Sequence, residues 1–263
     1  MESTSYAAIR VTQHEHVLQI ELHRPDALNA LSTALAREIA AVTDDAARAD
    51  DVRVVLLSAA GDRAFCVGAD LKERNAMSDD DLRAQRLVFR AAFGGVLLLP
   101  QPVVAAVHGF ALGGGCELAL SCDLVVGDET AVLGLPEVTI GLVPGGGGTQ
   151  LALRRLGAGR AADVVLTGRR IAAGEAHALG LIDRLVPAGS APEAALDVAQ
   201  QIAANSPVAT RAAKAALRNG YGLDYTAAMD IEDAAWRTAA FSGDRREGIA
   251  AFNEKRKPSW PGS

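Results

Sequence analysis

Gly113-Gly114-Gly115-Cys116-Glu117, with Leu135-Pro136-Glu137 following it, is the stretch of this sequence on which the rest of the reading turns. Consecutive glycines let backbone amides approach another group with no Cβ between them, and the apolar run Leu118-Ala119-Leu120 marks the opening of a helix. Free amides at a helix start, aided by the helix dipole, suit an oxygen that gains negative charge during a reaction. Glu117 falls in the first turn of that helix, and Glu137 is a second acid in a similarly apolar setting. Two carboxylates beside an oxyanion site are equipment for moving protons on and off carbon next to a carbonyl. Each also has a plainer reading. A first-turn glutamate commonly complements the helix dipole at the surface, and Pro136-Glu137 is compatible with a turn carrying an exposed acid.

The surrounding chain has 263 residues and 49% apolar content, enough to bury a large core in one elaborated domain or in two small ones. A net charge of -6 disfavours a general nucleic-acid binder. Cys66, Cys116 and Cys122 form neither a CxxC pair nor an even disulfide framework, which points to a reducing compartment, the cytoplasm. Residues 1–10 have neither the basic start and apolar core of a signal peptide nor an Arg-rich transit pattern. Residues 96–126 are very apolar, but Pro100, Pro102, His108 and Glu117 interrupt them, so they read as buried core and not as a membrane span.

Along the chain, residues 9–11 and 17–22 alternate like paired strands, and residues 32–49 read as a helix with Ser32 near its cap. Residues 52–58 form a continuous apolar strand, and the loop 61–70 leads through a polar patch to a helix capped near Ser78 and running towards Leu99. A buried strand over 103–107 precedes the glycine turn, and short elements continue to Val186 with no sequence repeat. Four helical stretches then follow at 191–205, 206–219, 224–240 and 244–257, with Ser206-Pro207 a cap and first-turn pair. Periodicity alone gives a mixed α/β chain with a helical tail.

The order and spacing of several further pieces resemble the enoyl-CoA hydratase (crotonase) superfamily over nearly the whole chain. They are Arg24-Pro25 with Asn29-Ala30-Leu31, the run from Ala64 to Lys72, Ala106-Val107-His108-Gly109 leading into the glycines, Pro136-Glu137, Pro144 to Gln150, and Ala251 to Arg256. The resemblance implies an α/β fold in which residues 1–190 make a spiral of β-β-α units with the CoA and active site, and residues 191–263 a helical trimerisation region. A homotrimer or a dimer of trimers follows. It also implies an enoyl-CoA hydratase, adding water across the 2,3 double bond of an enoyl thioester, with the amides of Ala69 and Gly114 as the oxyanion hole. Glu117 would orient and deprotonate the water, and Glu137 would protonate the α-carbon. A lost oxyanion donor costs about 3 kcal/mol in well-studied cases. No metal or cofactor is implied, since the CoA thioester is the substrate. For CoA, the resemblance suggests Arg24, Ala27 and Leu28 on the nucleotide side and the loop of Cys66, Val67, Gly68, Asp70, Leu71 and Lys72. Phe252 and Lys255 match positions that reach the CoA of a neighbouring subunit.

Alternative readings stand beside this one. An enoyl-CoA isomerase shares the oxyanion hole, although isomerases commonly manage with one acid. The segments 65–74, 77–78 and 144–150 look most like the methylglutaconyl-CoA hydratase branch, whose distal carboxylate would want a cation such as Arg74 or Arg90. From a different class, an RNA-binding protein would use Lys72 to Arg74 and the basic tail, but no RNA-reading aromatic motif is present. Gly145 to Gly148 lacks the Lys-Ser or Lys-Thr of a phosphate loop and reads as a flexible connection into a helix at 149–156. His108 reads as a packed, hydrogen-bonded histidine, and Cys66 and Cys116 as small packing groups.

Overall fold

In the computed structural model, which describes residues 6–263, the chain opens with the antiparallel pair β1 (Ile9–His14) and β2 (Val17–Leu22). Helix α1 (Thr33–Arg48) follows, capped by Ser32, whose side chain accepts from the Leu35 amide. Strand β3 (Val54–Ala59) then lies parallel to β2. Its six residues are all buried because the sheet is covered on both sides. Val55 and Leu57 pack with Leu35 and Ile39 of α1, while Val54 and Leu56 turn to the opposite face.

From β3 onward the chain makes a repeated move that no sequence repeat announces. Strand β3 leads to β4 (Ala64–Cys66), β5 (Val103–Val107) to β6 (Phe110–Leu112), and β7 (Leu124–Asp128) to β8 (Val132–Gly134). In each pair the first strand joins one sheet and the second joins another. With β9 (Ile171–Ala172) and β10 (Arg184–Val186), the larger sheet runs β1-β2-β3-β5-β7-β10 and the smaller β4-β6-β8-β9. Strands β4, β6 and β8 are mutually parallel.

Helices α2 (Leu71–Asn75) and α3 (Asp79–Leu98) follow β4, and α4 (Gly114–Leu120) follows β6. A 3-10 turn (Pro136–Ile140) follows β8 and leads to α5 (Gly148–Leu156), α6 (Ala158–Thr167) and α7 (Ala173–Leu179). Ser78 and Asp81 form a reciprocal capping box at the start of α3. The short elements β4, β6 and α2 escaped the sequence reading because three to five residues are too few to show a period.

The terminal helices are α8 (Ala191–Ala203), α9 (Pro207–Gly220), α10 (Tyr225–Ala240) and α11 (Gly243–Glu254). Ala195, Val198 and Ala199 of α8 cover the second face of the larger sheet against Val54, Leu56 and Val104. Helix α9 is tied down by charge. The buried Lys214 ammonium lies 2.7 Å from Asp123 and donates to the Gln101 carbonyl, and Arg218 pairs with the same aspartate at 2.9 Å. Helix α11 ends earlier than expected because Lys255 takes a left-handed conformation and closes it. Leu217, Tyr225, Trp236, Phe241 and Phe252 on or beside α9 to α11 are exposed, Phe252 by 84%. Among the described residues no helix is long and apolar enough to cross a membrane.

Candidate active site

The residues expected to be functional gather where β4, β6 and β8 end. Beyond β4, Leu31 forms a bridge to Ala69 in which its amide donates to the Gly68 carbonyl and its carbonyl accepts from Asp70. That pattern leaves the Ala69 amide out of the bridge. Beyond β6, Gly113 adopts φ 53° and ψ -125°, a turn open to glycine, and its amide donates to the Gly134 carbonyl at the end of β8. Gly114 then begins α4, so its amide has no partner within the helix. A Cβ on Gly68 would lie 3.1 Å from the Gly114 nitrogen, which brings the two segments that carry the expected amide donors into contact.

The three glycines of the triplet differ in what they permit. A Cβ on Gly113 would meet Glu137 Oε1 at 3.0 Å, and one on Gly114 the flexible Leu31 Cδ1 at 3.0 Å. On Gly115 it would fall 1.9 Å from the Cys66 carbonyl oxygen, so this residue sets how closely α4 lies on β4.

Glu117 is buried, 3% exposed. Its Oε1 accepts from the amides of Gly146 and Gly148, each at 2.7 Å. Both of these bonds fall on the one oxygen, and the side chain lines the cleft. Burial raises the Glu117 pKa, while the amides of Gly148 and Gly146 and the charge of Arg86 oppose that rise. The glycine run is therefore no flexible connection. It is a cradle for a carboxylate, and this role of Gly146 and Gly148 was missed in the sequence, where only the unusual length of the run after Pro144 could have suggested it.

Glu137 sits in the 3-10 turn after β8 in the opposite kind of setting. Its Oε2 is buried and has no hydrogen-bond partner among the described residues. Burial, helped by the nearby charge of Glu117, raises its pKa to about 7. The two carboxyl groups share one cleft, yet one is held by amide donors and the other is left to keep its proton. Surroundings that differ in this way set the proton affinities of two carboxyl groups apart.

The cleft has a volume of about 790 Å³ and is lined by both glutamates, Gly114 and Ala69. Val67, Gly68 and Leu71 also line it, whereas Arg24, Ala27, Leu28, Cys66, Asp70, Lys72, Phe252 and Lys255 do not. Arg24 and Asp70 pair with each other at 3.0 Å, and Asp70 caps α2 by accepting from the amides of Lys72 and Glu73. The Leu28 carbonyl accepts from Val67, bracing the loop from behind. The Cys66 and Cys116 thiols are buried, and burial pushes each pKa up to about 12, as expected of packing groups. His108 is buried as expected, but among the described residues its Nε2 has no hydrogen-bond partner. Arg74 lines the cleft, its Nε on Gln85 at 2.9 Å and its guanidinium over Phe89, whereas Arg90 is exposed away from it.

Residues 12–263 match the family described as enoyl-CoA hydratase/isomerase, and the chain belongs to it. It is 40% identical to a 2,3-dehydroadipyl-CoA hydratase of Escherichia coli, covering 96% of this chain and 98% of that one. It is 36% identical to a short-chain-enoyl-CoA hydratase of Clostridium acetobutylicum, over 92% of each. The crystal structure of an enoyl-CoA hydratase from Bacillus anthracis superposes with a TM-score of 0.95 at 42% identity, covering 98% of this chain and 100% of that chain. The protein is accordingly a crotonase-fold enzyme of the enoyl-CoA hydratase/isomerase family.

Proposed function

We propose that this enzyme hydrates 2-enoyl-CoA thioesters. The thioester oxygen is held between the amides of Ala69 and Gly114, which stabilise the charge it gains as the β-carbon is attacked. Glu117, fixed through Oε1, uses Oε2 to orient a water and take one of its protons. The hydroxyl bonds to the β-carbon, the electrons of the double bond pass through the enolate, and Glu137 returns a proton to the α-carbon. The two carboxyl groups exchange protonation states, and solvent resets them. The observation that carries this reading is the contrast between the paired Oε1 of Glu117 and the unpartnered Oε2 of Glu137 in one cleft.

Binding of the CoA moiety is assigned to Arg24, Ala27, Leu28 and the 66–72 loop, with Phe252 and Lys255 serving a neighbouring subunit in a trimer or a dimer of trimers. The exposed aromatic and aliphatic groups of α9 to α11 support that assembly. The three buried, unpaired thiols fit a reducing compartment such as the cytoplasm, and the hydration as written uses no cofactor. A second reading gives the acyl group a distal carboxylate, as in methylglutaconyl-CoA or 2,3-dehydroadipyl-CoA. Arg74 in the cleft wall favours it.

One panel separates these possibilities. Crotonyl-CoA, a 3-enoyl-CoA and 3-methylglutaconyl-CoA are compared by kcat/KM for the wild type, Glu117→Gln and Glu137→Gln. Hydration of crotonyl-CoA is expected, with each variant slower by about two or more orders of magnitude and the double variant far from additive. A diacid preference of about tenfold or more, abolished in Arg74→Ala, selects the second reading. Double-bond migration without net water addition selects the isomerase, and near-normal turnover by either Gln variant removes that residue from the mechanism.

A further inference from the structure

The loop that cradles Glu117 is itself held from the far side. Arg86, on α3 and lining the cleft, donates from Nη1 to the Gly145 carbonyl. That carbonyl and the Gly146 amide are the two ends of one peptide group, and the Gly146 amide donates to Glu117 Oε1 at 2.7 Å. Guanidinium, peptide and carboxylate thus form one continuous chain. A donor on the carbonyl end of a peptide makes its N–H a better donor at the other, so the two bonds reinforce each other.

The neighbouring cations are occupied otherwise. Arg83 is paired with Asp80 at 2.6 Å, and Arg74 donates to Gln85 and lies over Phe89. Among the described residues Arg86 has no carboxylate partner of its own, which leaves its charge directed at the loop. The charged and titratable groups around Glu117 are Arg86 from α3, Arg74 from α2 and Glu137 from the 3-10 turn after β8, while α5 and the loop before it contribute backbone amides.

We propose that Arg86 is a positioning residue for the reaction, holding the Glu117 carboxylate through the Gly145–Gly146 peptide in the charged state that receives water. The inference rests on the reading of Glu117 as the base. Its role is remote from the thioester and acts on a peptide, so sequence spacing gives no sign of it.

Arg86→Ala, Arg86→Gln and Arg86→Lys test this with two readouts. In the first, glutamate carboxyls labelled with carbon-13 are titrated by NMR, the Glu117 signal being assigned by its loss in Glu117→Gln. Its titration point rises in Arg86→Ala by about half to one unit, less in Gln, which retains a donor, and least in Lys, which retains the charge. In the second, the acid limb of kcat/KM moves to higher pH by the same amount, so that on that limb Arg86→Ala is slower by about three- to tenfold. A titration point that stays put, or a loss of activity uniform across pH, overturns the proposal. If the wild type fails to hydrate crotonyl-CoA, the hydratase reading fails instead, and the NMR titration still decides the role of Arg86.

Discussion

Glu137 links the chemistry of the cleft to the stability of the fold. Its carboxyl binds a proton more tightly in the folded chain, to about 7, than the ordinary value of 4.5 allows in the unfolded one. The stability conferred by the protonated form is therefore full below about 4.5 and lost as pH rises through about 7. Glu137→Gln removes the titration while keeping the shape. The variant should gain on the wild type between pH 5 and pH 8.5 by about 1–2 kcal/mol, discounted because solvent reaches part of the side chain. Thermal melts of both proteins across that range measure the gain, and a pH-independent difference would mean that Glu137 is not held as an acid. At this scale the sequence was informative about identity and silent about environment. Glu117 and Glu137 could be named from their flanking residues, but the two amides on one and the orphaned oxygen of the other arise from segments far away in the chain.

Among the elements, the contact of α4 with β4 is the tightest part of the site, and it rests on Gly115. A methyl group there would have to displace the Cys66 carbonyl, which is backbone, whereas one on Gly114 meets the movable end of Leu31. Gly115→Ala should therefore cost about 2–3 kcal/mol by overpacking, and Gly114→Ala clearly less. Denaturant unfolding of the two variants ranks them, and equal stabilities would contradict the packing described. The sequence marked all three glycines alike because a glycine run does not say which member faces backbone. Long elements were read well for the opposite reason. Helices α1 and α3 carry caps at Ser32 and Ser78 and enough turns to show their apolar faces, and β3 stands out as a run of buried aliphatics. Strands β4 and β6 have three residues each and draw their order from neighbours in the sheet.

For the molecule as a whole, the sequence reading of a spiral with a helical tail agrees with the two sheets and the closing helices, although the alternation of strands between sheets leaves no repeat in the residues themselves. The tail should govern assembly. Phe252 has almost no contact with its own chain, so Phe252→Asp should leave the subunit's melting nearly unchanged while weakening association and raising the KM for acyl-CoA. Light scattering with kinetics checks this, and a variant of unaltered mass and KM would free Phe252 from any role at an interface. The spiral also has a consequence for how the catalyst can change. Ala69 follows the strand β4, Gly114 and Glu117 follow β6, and Glu137 follows β8, so successive turns each supply one share of the site at the same end of the parallel strands of the smaller sheet. On the proposed mechanism, thioester activation would belong to the first two turns and the final proton to the third. Such a layout is modular: a new acid, base or product can be installed by rewriting one turn, while the others go on recognising the same class of ester.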